Sequence, residues 1–318
     1  MDKRKLALLS ETEALERLLC RLPFEDENRK FLEVEHYRRV AGVLGEERLR
    51  RKLKELDLDE PHHLLFDVNL RMQDWKVQID GLLLAESCAI VIESKNIQGE
   101  IHFERETDEF YRFTEDRKKT VLEDPTIQLA KHIRFLEKWF ADKNIQLPVD
   151  GVVVFTSKQC QFISKPLHHH ICKTYQLIHF LHKILQQYPQ MPISHKLSEI
   201  IRTFSSNQSS FNRIPLCSYY RIDPRNFMSG MWCRTCERYT GQSRNKAGWK
   251  CSKCSQFDYA ASELAIREYF SLVSDTLSNR ELRAFCNISS PSVASRLLAE
   301  FDLEAEGPLR NRAYRIKK

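Results

Sequence analysis

Three residues, Asp80, Glu93 and Lys95, set the chemistry available to this chain. They fall within Trp75–Asn96, WKVQIDGLLLAESCAIVIESKN, which reads as two strands and a tight turn. Side chains two apart on a strand point the same way, so Glu93 and Lys95 are neighbours. A turn centred between Glu86 and Ser87 places Asp80 opposite Glu93. Directly opposed residues in such a hairpin have Cβ atoms about 4.5–5.5 Å apart, and like charges there repel. Two carboxylates held that close, with an ammonium beside them, call for a divalent cation between them. The bland alternative is a surface ion pair of Glu93 or Asp80 with Lys95, the reading an isolated Glu-Ser-Lys warrants.

Sulfur makes a second constellation. Cys233-Arg-Thr-Cys236 is followed after fourteen residues by Cys251-Ser-Lys-Cys254. Two such pairs can present four thiolates to one tetrahedral Zn²⁺, with Zn–S distances of about 2.3 Å. Four thiolates fill the coordination sphere, so one structural zinc is expected and no open catalytic position. The runner-up is a redox role, but redox CxxC motifs sit singly near a βαβ unit. Cys20, Cys88, Cys160, Cys172, Cys217 and Cys286 read as small hydrophobes.

The elements that must position these groups follow from periodicity. Val77, Ile79, Ile90 and Ile92 are expected on one apolar face of the hairpin, with Asp80, Glu93 and Lys95 on the other. Residues 64–70 supply a third strand of a meander. Residues 9–21 read as an amphipathic helix and 41–56 as another. Gly42 and Gly45 each cost the latter about 1 kcal/mol relative to alanine. A glycine retained there permits close packing, which would bring Glu46 towards the hairpin. The alternative leaves Glu46 solvated beside Glu47. Residues 99–104 and 109–113 form a further short hairpin pattern outside the main sheet. Asp124-Pro125 opens a helix that carries Gln128, Lys131 and His132. Gly151–Phe155 is a continuous apolar run suited to a buried strand. The predicted order is α-β-β-β-α-β, with a packing helix at 174–188. The three histidines at 168–170 read as a polar loop, since three consecutive residues cannot all face one metal in regular structure. The Ser-rich run at 203–212 predicts a flexible boundary.

The tail predicts a helix at 263–275, a capping-box helix from Ser278, and a third opened by Ser290-Pro291. The last two resemble a helix-turn-helix, and the basic ending could form a wing. From Arg280 onward eight Arg/Lys face five Asp/Glu. Arg296, Arg310, Arg312 and Arg315 are the candidate phosphate contacts, although a helical protein-interaction module, and so a protein partner, fits the same residues. Hydrophobic content of 42% and charged content of 30% suit a soluble globular protein, and no apolar run approaches membrane-spanning length. A net charge of +6 does not by itself indicate nucleic acid. Ten cysteines without a signal-peptide core point to reduced thiols and a cytoplasmic location.

Asp80 followed by Glu93-Ser94-Lys95 resembles the core of the PD-(D/E)xK nuclease superfamily. The surrounding sequence is similar to its nuclease-related domain branch, found in bacterial proteins, with the upstream signature present as Gly42-Val43-Leu44-Gly45-Glu46. The resemblance extends through the zinc ribbon and tail. It implies an α/β, restriction-endonuclease-like core with a mixed central sheet, followed by a small zinc ribbon and a helical module. The corresponding domains are an N-terminal helical extension at 1–36, the nuclease-like domain at 37–202, a linker at 203–228, the ribbon at 229–258 and the tail at 259–318. It further implies a Mg²⁺- or Mn²⁺-dependent nuclease acting on DNA, duplex or branched. Asp80, Glu93 and the Ser94 carbonyl would hold the metal. Lys95 would orient or deprotonate water, or steady the transition state. Glu46 would complete the metal shell, Gln128 would stand near the lysine, and Lys131 or His132 would meet the phosphate. The competing expectation is a non-catalytic DNA-binding or regulatory protein that keeps the fold.

Overall fold

The computed structural model describes residues 3–166, 170–188, 197–208, 213–245, 248–308 and 312–317. They divide into two compact units, Met1–Val40 with Asn212–Lys318, and Ala41–Phe211. The chain begins with helices α1 (Glu11–Arg21) and α2 (Arg29–Leu53); residues 41–53 of α2 belong to the second unit.

The second unit is built on a five-stranded sheet. Its strands are β1 (His62–Met72), β2 (Trp75–Ala85), β3 (Ala89–Lys95), β7 (Val149–Phe155) and β9 (Ile171–Lys173), side by side in that order. The first three are antiparallel, while β3, β7 and β9 run parallel, so the sheet is mixed. β4 (Gly99–Phe103), β5 (Phe110–Phe113), β6 (Lys119–Leu122) and β8 (Cys160–Phe162) form a second, four-stranded sheet. The expected short hairpin is thus half of a larger layer.

Helix α3 (Pro125–Asp142) covers one face of the main sheet, where Leu129, Phe135, Leu136 and Trp139 pack with Val91, Val153 and Phe155. α5 (Leu197–Asn207) adds Ile200 and Phe204 to that core. On the other face, Leu49 and Leu53 of α2 join Leu177, Leu181 and Ile184 of α4 (Leu177–Leu185) over Leu83, Ile90, Ile92, Val152 and Val154. Strands covered on both faces read as continuous apolar runs, which is why β3 and β7 show so little alternation.

The expected single apolar face needs correction. Ile90 and Ile92 face α2 and α4, whereas Val77 and Ile79 face α3. The pleat breaks between β1 and β2. Phe66 pairs with Gly81 and Val68 with Ile79, but Asp67 adopts a left-handed conformation (φ 52°) and the 67–80 rung is missing. The Asp67 carboxylate is held by Gln78 Nε2 at 2.7 Å and Asn69 Nδ2 at 3.1 Å. Beyond this break both strands present the opposite parity to each core. Such irregularities recur next to active sites because they re-aim a side chain, and here the side chain at the missing rung is Asp80.

In the first unit, α6 (Leu216–Tyr220) lies where the linker was expected and buries Leu216 and Cys217. α5 likewise continues to Asn207, so the predicted flexible run is helical there. The ribbon comprises the hairpin β10 (Met231–Cys233) and β11 (Arg238–Thr240), then β12 (Gln242–Asn245), β13 (Gly248–Cys251) and β14 (Phe257–Asp258). α7 (Ala261–Leu272), α8 (Asn279–Cys286) and α9 (Pro291–Glu300) follow, with a small sheet of β15 (Leu277–Ser278), β17 (Ala313–Ile316) and β16 (Leu303–Glu306) in that order.

Segments 1–36, 229–258 and 259–318, expected as separate pieces, lie within this one unit. The reason is shared burial: Met231 and Trp249 of the ribbon enter the same core as α7, α8 and α9. Arg21 and Glu268 also tie it together. Both are fully buried and 2.6 Å apart, with Tyr239 donating to the same carboxylate at 3.1 Å and Arg21 donating to the Met228 and Gly230 carbonyls.

Candidate functional site

The site residues converge at the end of β3. Its parity puts Glu93 and Lys95 on the α3 face, and α3 meets them with Gln128 and, one turn on, His132. Lys95 Nζ stands 2.7 Å from Glu93 Oε1 and donates to Gln128 Oε1 at 2.7 Å. Glu93 is 1% exposed, so its charge depends on these partners. Asp80 Oδ2 accepts from the Ser94 backbone N–H at 2.8 Å, which fixes its carboxylate beside the Glu-Ser-Lys segment.

Asp80 carries the electrostatic signature of a crowded acidic site. Burial, then the negative charge of Glu93, push its carboxyl up to about 6, with Glu46 adding to the effect. The Ser94 N–H and Lys95 oppose the rise without cancelling it. Glu46 reaches this site through a close helix approach. A Cβ on Gly45 would lie 2.7 Å from Thr156 Oγ1 and 3.0 Å from Asn96 Cβ, so only glycine lets α2 sit this near. Asn96 Nδ2 in turn donates to the Ala41 carbonyl at 2.5 Å. Gly42 has open space around it and plays no such part.

The structure therefore brings Glu46, Asp80, Glu93, Lys95 and Gln128 together. Lys131 is exposed on α3. His132 goes inward instead, with Nδ1 3.3 Å from Glu93 Oε2. Its place was readable in one respect: it sits on the same helical stripe as Leu129, Phe135, Leu136 and Trp139.

Glu93 Oε2 and His132 Nδ1 are both buried and complete no hydrogen bond. An orphaned carboxylate oxygen near a second, reluctantly ionised carboxyl is the donor set a hard divalent cation satisfies. Asp80 and Glu93 offer the donor chemistry such an ion takes. Among the described residues, however, the acidic groups do not form a closed cage; the one set of three or more ligand atoms within 4.8 Å of one another is the four cysteines. A sparse pair of carboxylates suits Mg²⁺, which keeps several waters.

The four thiols form a tight cluster. Cys233 Sγ and Cys254 Sγ are 3.6 Å apart, and Cys236 Sγ and Cys251 Sγ 3.9 Å. A tetrahedron with bonds of about 2.3 Å has edges of about 3.8 Å, so the spacing matches one shared metal ion. It is far longer than the ~2.05 Å of a disulfide. This four-cysteine cluster could bind a zinc ion.

The tail residues are not gathered into one site. Arg296 is exposed on α9, and its Nε donates to the Ser292 carbonyl at 3.4 Å. Arg312 is half-buried just before β17, and Arg315 pairs with Glu306 across the β16–β17 hairpin at 3.3 Å. Arg310 lies outside the described residues, as do His168 and His169. Asn287, left-handed at φ 54°, ends α8, and Asn279 Nδ2 ties it to α9 through the Pro291 carbonyl and Ser295 Oγ. α8 and α9 are thus joined by a short turn and followed by the antiparallel β16–β17 pair.

Comparison with known proteins agrees with the geometry. A family model described as nuclease-related domain matches residues 41–156. An uncharacterized protein of Bacillus anthracis is 30% identical over 126 residues, covering 39% of this chain and 56% of that protein. The chain thus spans little more than half the length of this relative. No solved structure matches the chain. The matched segment starts at the N-terminal end of the Gly-Glu signature and ends one residue past β7, enclosing Glu46, Asp80, Glu93, Lys95, Gln128 and His132. Residues 41–156 therefore belong to the nuclease-related domain family.

Proposed function

We propose that the domain is a divalent-metal-dependent nuclease that hydrolyses phosphodiester bonds of DNA. The observation that carries this reading is the Lys95 ammonium, 2.7 Å from both Glu93 and Gln128, beside an Asp80 carboxyl raised to about 6. Asp80 and Glu93 would hold Mg²⁺ or Mn²⁺, which supplies charge neutralisation at the phosphate and a bound water of lowered pKa. Lys95, freed from Glu93, orients the attacking water or steadies charge on the phosphate oxygens. Gln128 keeps the ammonium aimed, because an amide oxygen can only accept from it. Glu46 balances the site through its effect on Asp80. His132 limits the movement of Glu93.

The four-cysteine cluster holds one structural zinc in this reading, and the chain works in the cytoplasm, consistent with ten cysteines that are all free of disulfides. Helices α8 and α9 with their hairpin dock the protein on duplex or branched DNA. Arg296 is the contact best placed for this, since Arg315 is committed to Glu306. Among the described residues no helix is long and apolar enough to cross a membrane.

Plasmid nicking with Mg²⁺ or Mn²⁺ tests the reading. Wild type should nick and Lys95→Ala should not, with unchanged thermal unfolding. Wild type that leaves supercoiled, linear and branched DNA intact with both metals would refute it.

A further inference from the structure

A second cavity, rimmed by charged side chains, lies in the same unit and is used by none of the groups above. It encloses about 410 Å³ at the C-terminal ends of β7 and β9, against α2. Arg48, Arg51, Lys158 and Lys173 line it over a floor that includes Thr156 and Ser157. Lys52 also lines it but is paired with Glu55, the one carboxylate in the lining. Among the described residues, no carboxylate pairs with Arg48, Arg51, Lys158 or Lys173. Arg48 spends Nη1 on Asn96 Oδ1 and the Thr156 carbonyl, both at 3.3 Å, which fixes its guanidinium at the wall. Thr156 and Ser157 are 3% and 5% exposed, so their hydroxyls are held in place rather than free on a surface. Tyr175, 71% exposed, stands at the rim.

Four unneutralised cations around one concavity repel each other and favour a multiply charged anion. A phosphate monoester carries nearly two negative charges at neutral pH and three acceptor oxygens, more than a carboxylate can offer. The volume exceeds what a bare phosphate needs and falls in the range of small-molecule sites. The exposed phenol ring at the mouth is a stacking platform for a base. The geometry points to a pocket for one phosphate-bearing nucleotide, with Arg48, Arg51, Lys158 and Lys173 on the phosphate and Tyr175 on the base.

Two sources share this chemistry: the phosphorylated end of a nucleic-acid strand and a free nucleotide. The position favours the strand end. Thr156 of the pocket floor donates its N–H to the Lys95 carbonyl at 2.9 Å, so the pocket and the proposed hydrolytic site share a backbone hydrogen bond. This assignment of source rests on the nuclease reading; the pocket itself does not. A nuclease gripping a terminal phosphate would prefer strands that end in one.

Binding is measured on full-length protein without divalent metal, so that failure of the pocket and failure of catalysis are read separately. The probes are a fluorescent single-stranded oligonucleotide with a 5′-phosphate, the same with a 3′-phosphate, the same with hydroxyl ends, and a nucleoside monophosphate. Wild type should bind one phosphorylated end about tenfold more tightly than the hydroxyl-ended strand. Arg51→Glu and Lys173→Glu should each abolish that preference, and Tyr175→Ala should weaken both phosphorylated and free-nucleotide binding. Arg51 is exposed, so its variant keeps the fold. Nucleoside monophosphate binding lost in Arg51→Glu, with no preference among strand ends, would also support the pocket and assign it to a free nucleotide. If neither ligand's binding changes in Arg51→Glu and Lys173→Glu, the pocket assignment is overturned.

Discussion

Replacing Asp80 with asparagine should abolish cleavage and yet stabilise the metal-free protein. Asp80 has an ordinary carboxyl value of 3.8 in the unfolded chain and about 6 in the folded one, raised by burial and then by Glu93. Between these values the folded state holds a proton that the unfolded chain has released. Stability contributed at this residue is therefore present at low pH, declines as pH rises from about 4 to about 6, and is level above that. The difference corresponds to a cost of at most about 3 kcal/mol at neutral pH, using 1.36 kcal/mol per pH unit. Partial solvent access at Asp80 reduces this to about 1–2 kcal/mol. Asparagine keeps an oxygen for the Ser94 N–H, removes the charge and escapes the cost. Thermal unfolding from pH 4 to pH 8 without divalent metal should show the Asp80→Asn advantage growing through the window and flat beyond pH 6. Millimolar Mg²⁺ should then raise wild type and leave the variant unmoved, by mass action on the folded state. A variant less stable than wild type at pH 7.5 without metal, or an advantage independent of pH, would refute the picture of a frustrated acidic site.

Further tests address the scaffold. Gly45→Ala should cost about 1–3 kcal/mol and lower activity, because its Cβ meets Thr156 and Asn96, whereas Gly42→Ala, in open space, should stabilise by up to about 1 kcal/mol; paired urea titrations distinguish them. Cys251→Ser should eliminate the single zinc per chain, read by atomic absorption, and zinc content equal to wild type would contradict the shared-ion geometry. Glu268→Gln should destabilise the unit of α1, ribbon and tail by about 3–5 kcal/mol, since it leaves the buried Arg21 charge uncompensated. Equal unfolding midpoints for Glu268→Gln and wild type would show that Tyr239 and the Met228 and Gly230 carbonyls suffice.

The hairpin, its turn and the register that sets Gly81 opposite Ile92 could be read from spacing, because a two-residue period fixes which residues meet once the turn is placed. The paired CxxC motif was legible for the same kind of reason: ligand number and spacing are local properties. The α-β-β-β-α-β order followed from apolar runs and from caps such as Asp124-Pro125, which act within one helical turn. Gln128 entered through family resemblance; the tertiary structure placed it 2.7 Å from Lys95.

What lay beyond the sequence was set by contacts distant along the chain. The reversal of Val77 and Ile79 relative to Ile90 and Ile92 depends on Asp67 going left-handed, a choice made by Gln78 and Asn69 and invisible to a period-two pattern. The choice of His132 over Lys131 as the inward residue depends on how α3 rolls onto β3. The union of N-terminal helix, ribbon and tail depends on a buried ion pair whose members are 247 positions apart. Periodicity tells which side of an element is apolar, but not which neighbour will cover it. That is decided only when the cores close, because burial is a property of the assembled molecule and not of any segment.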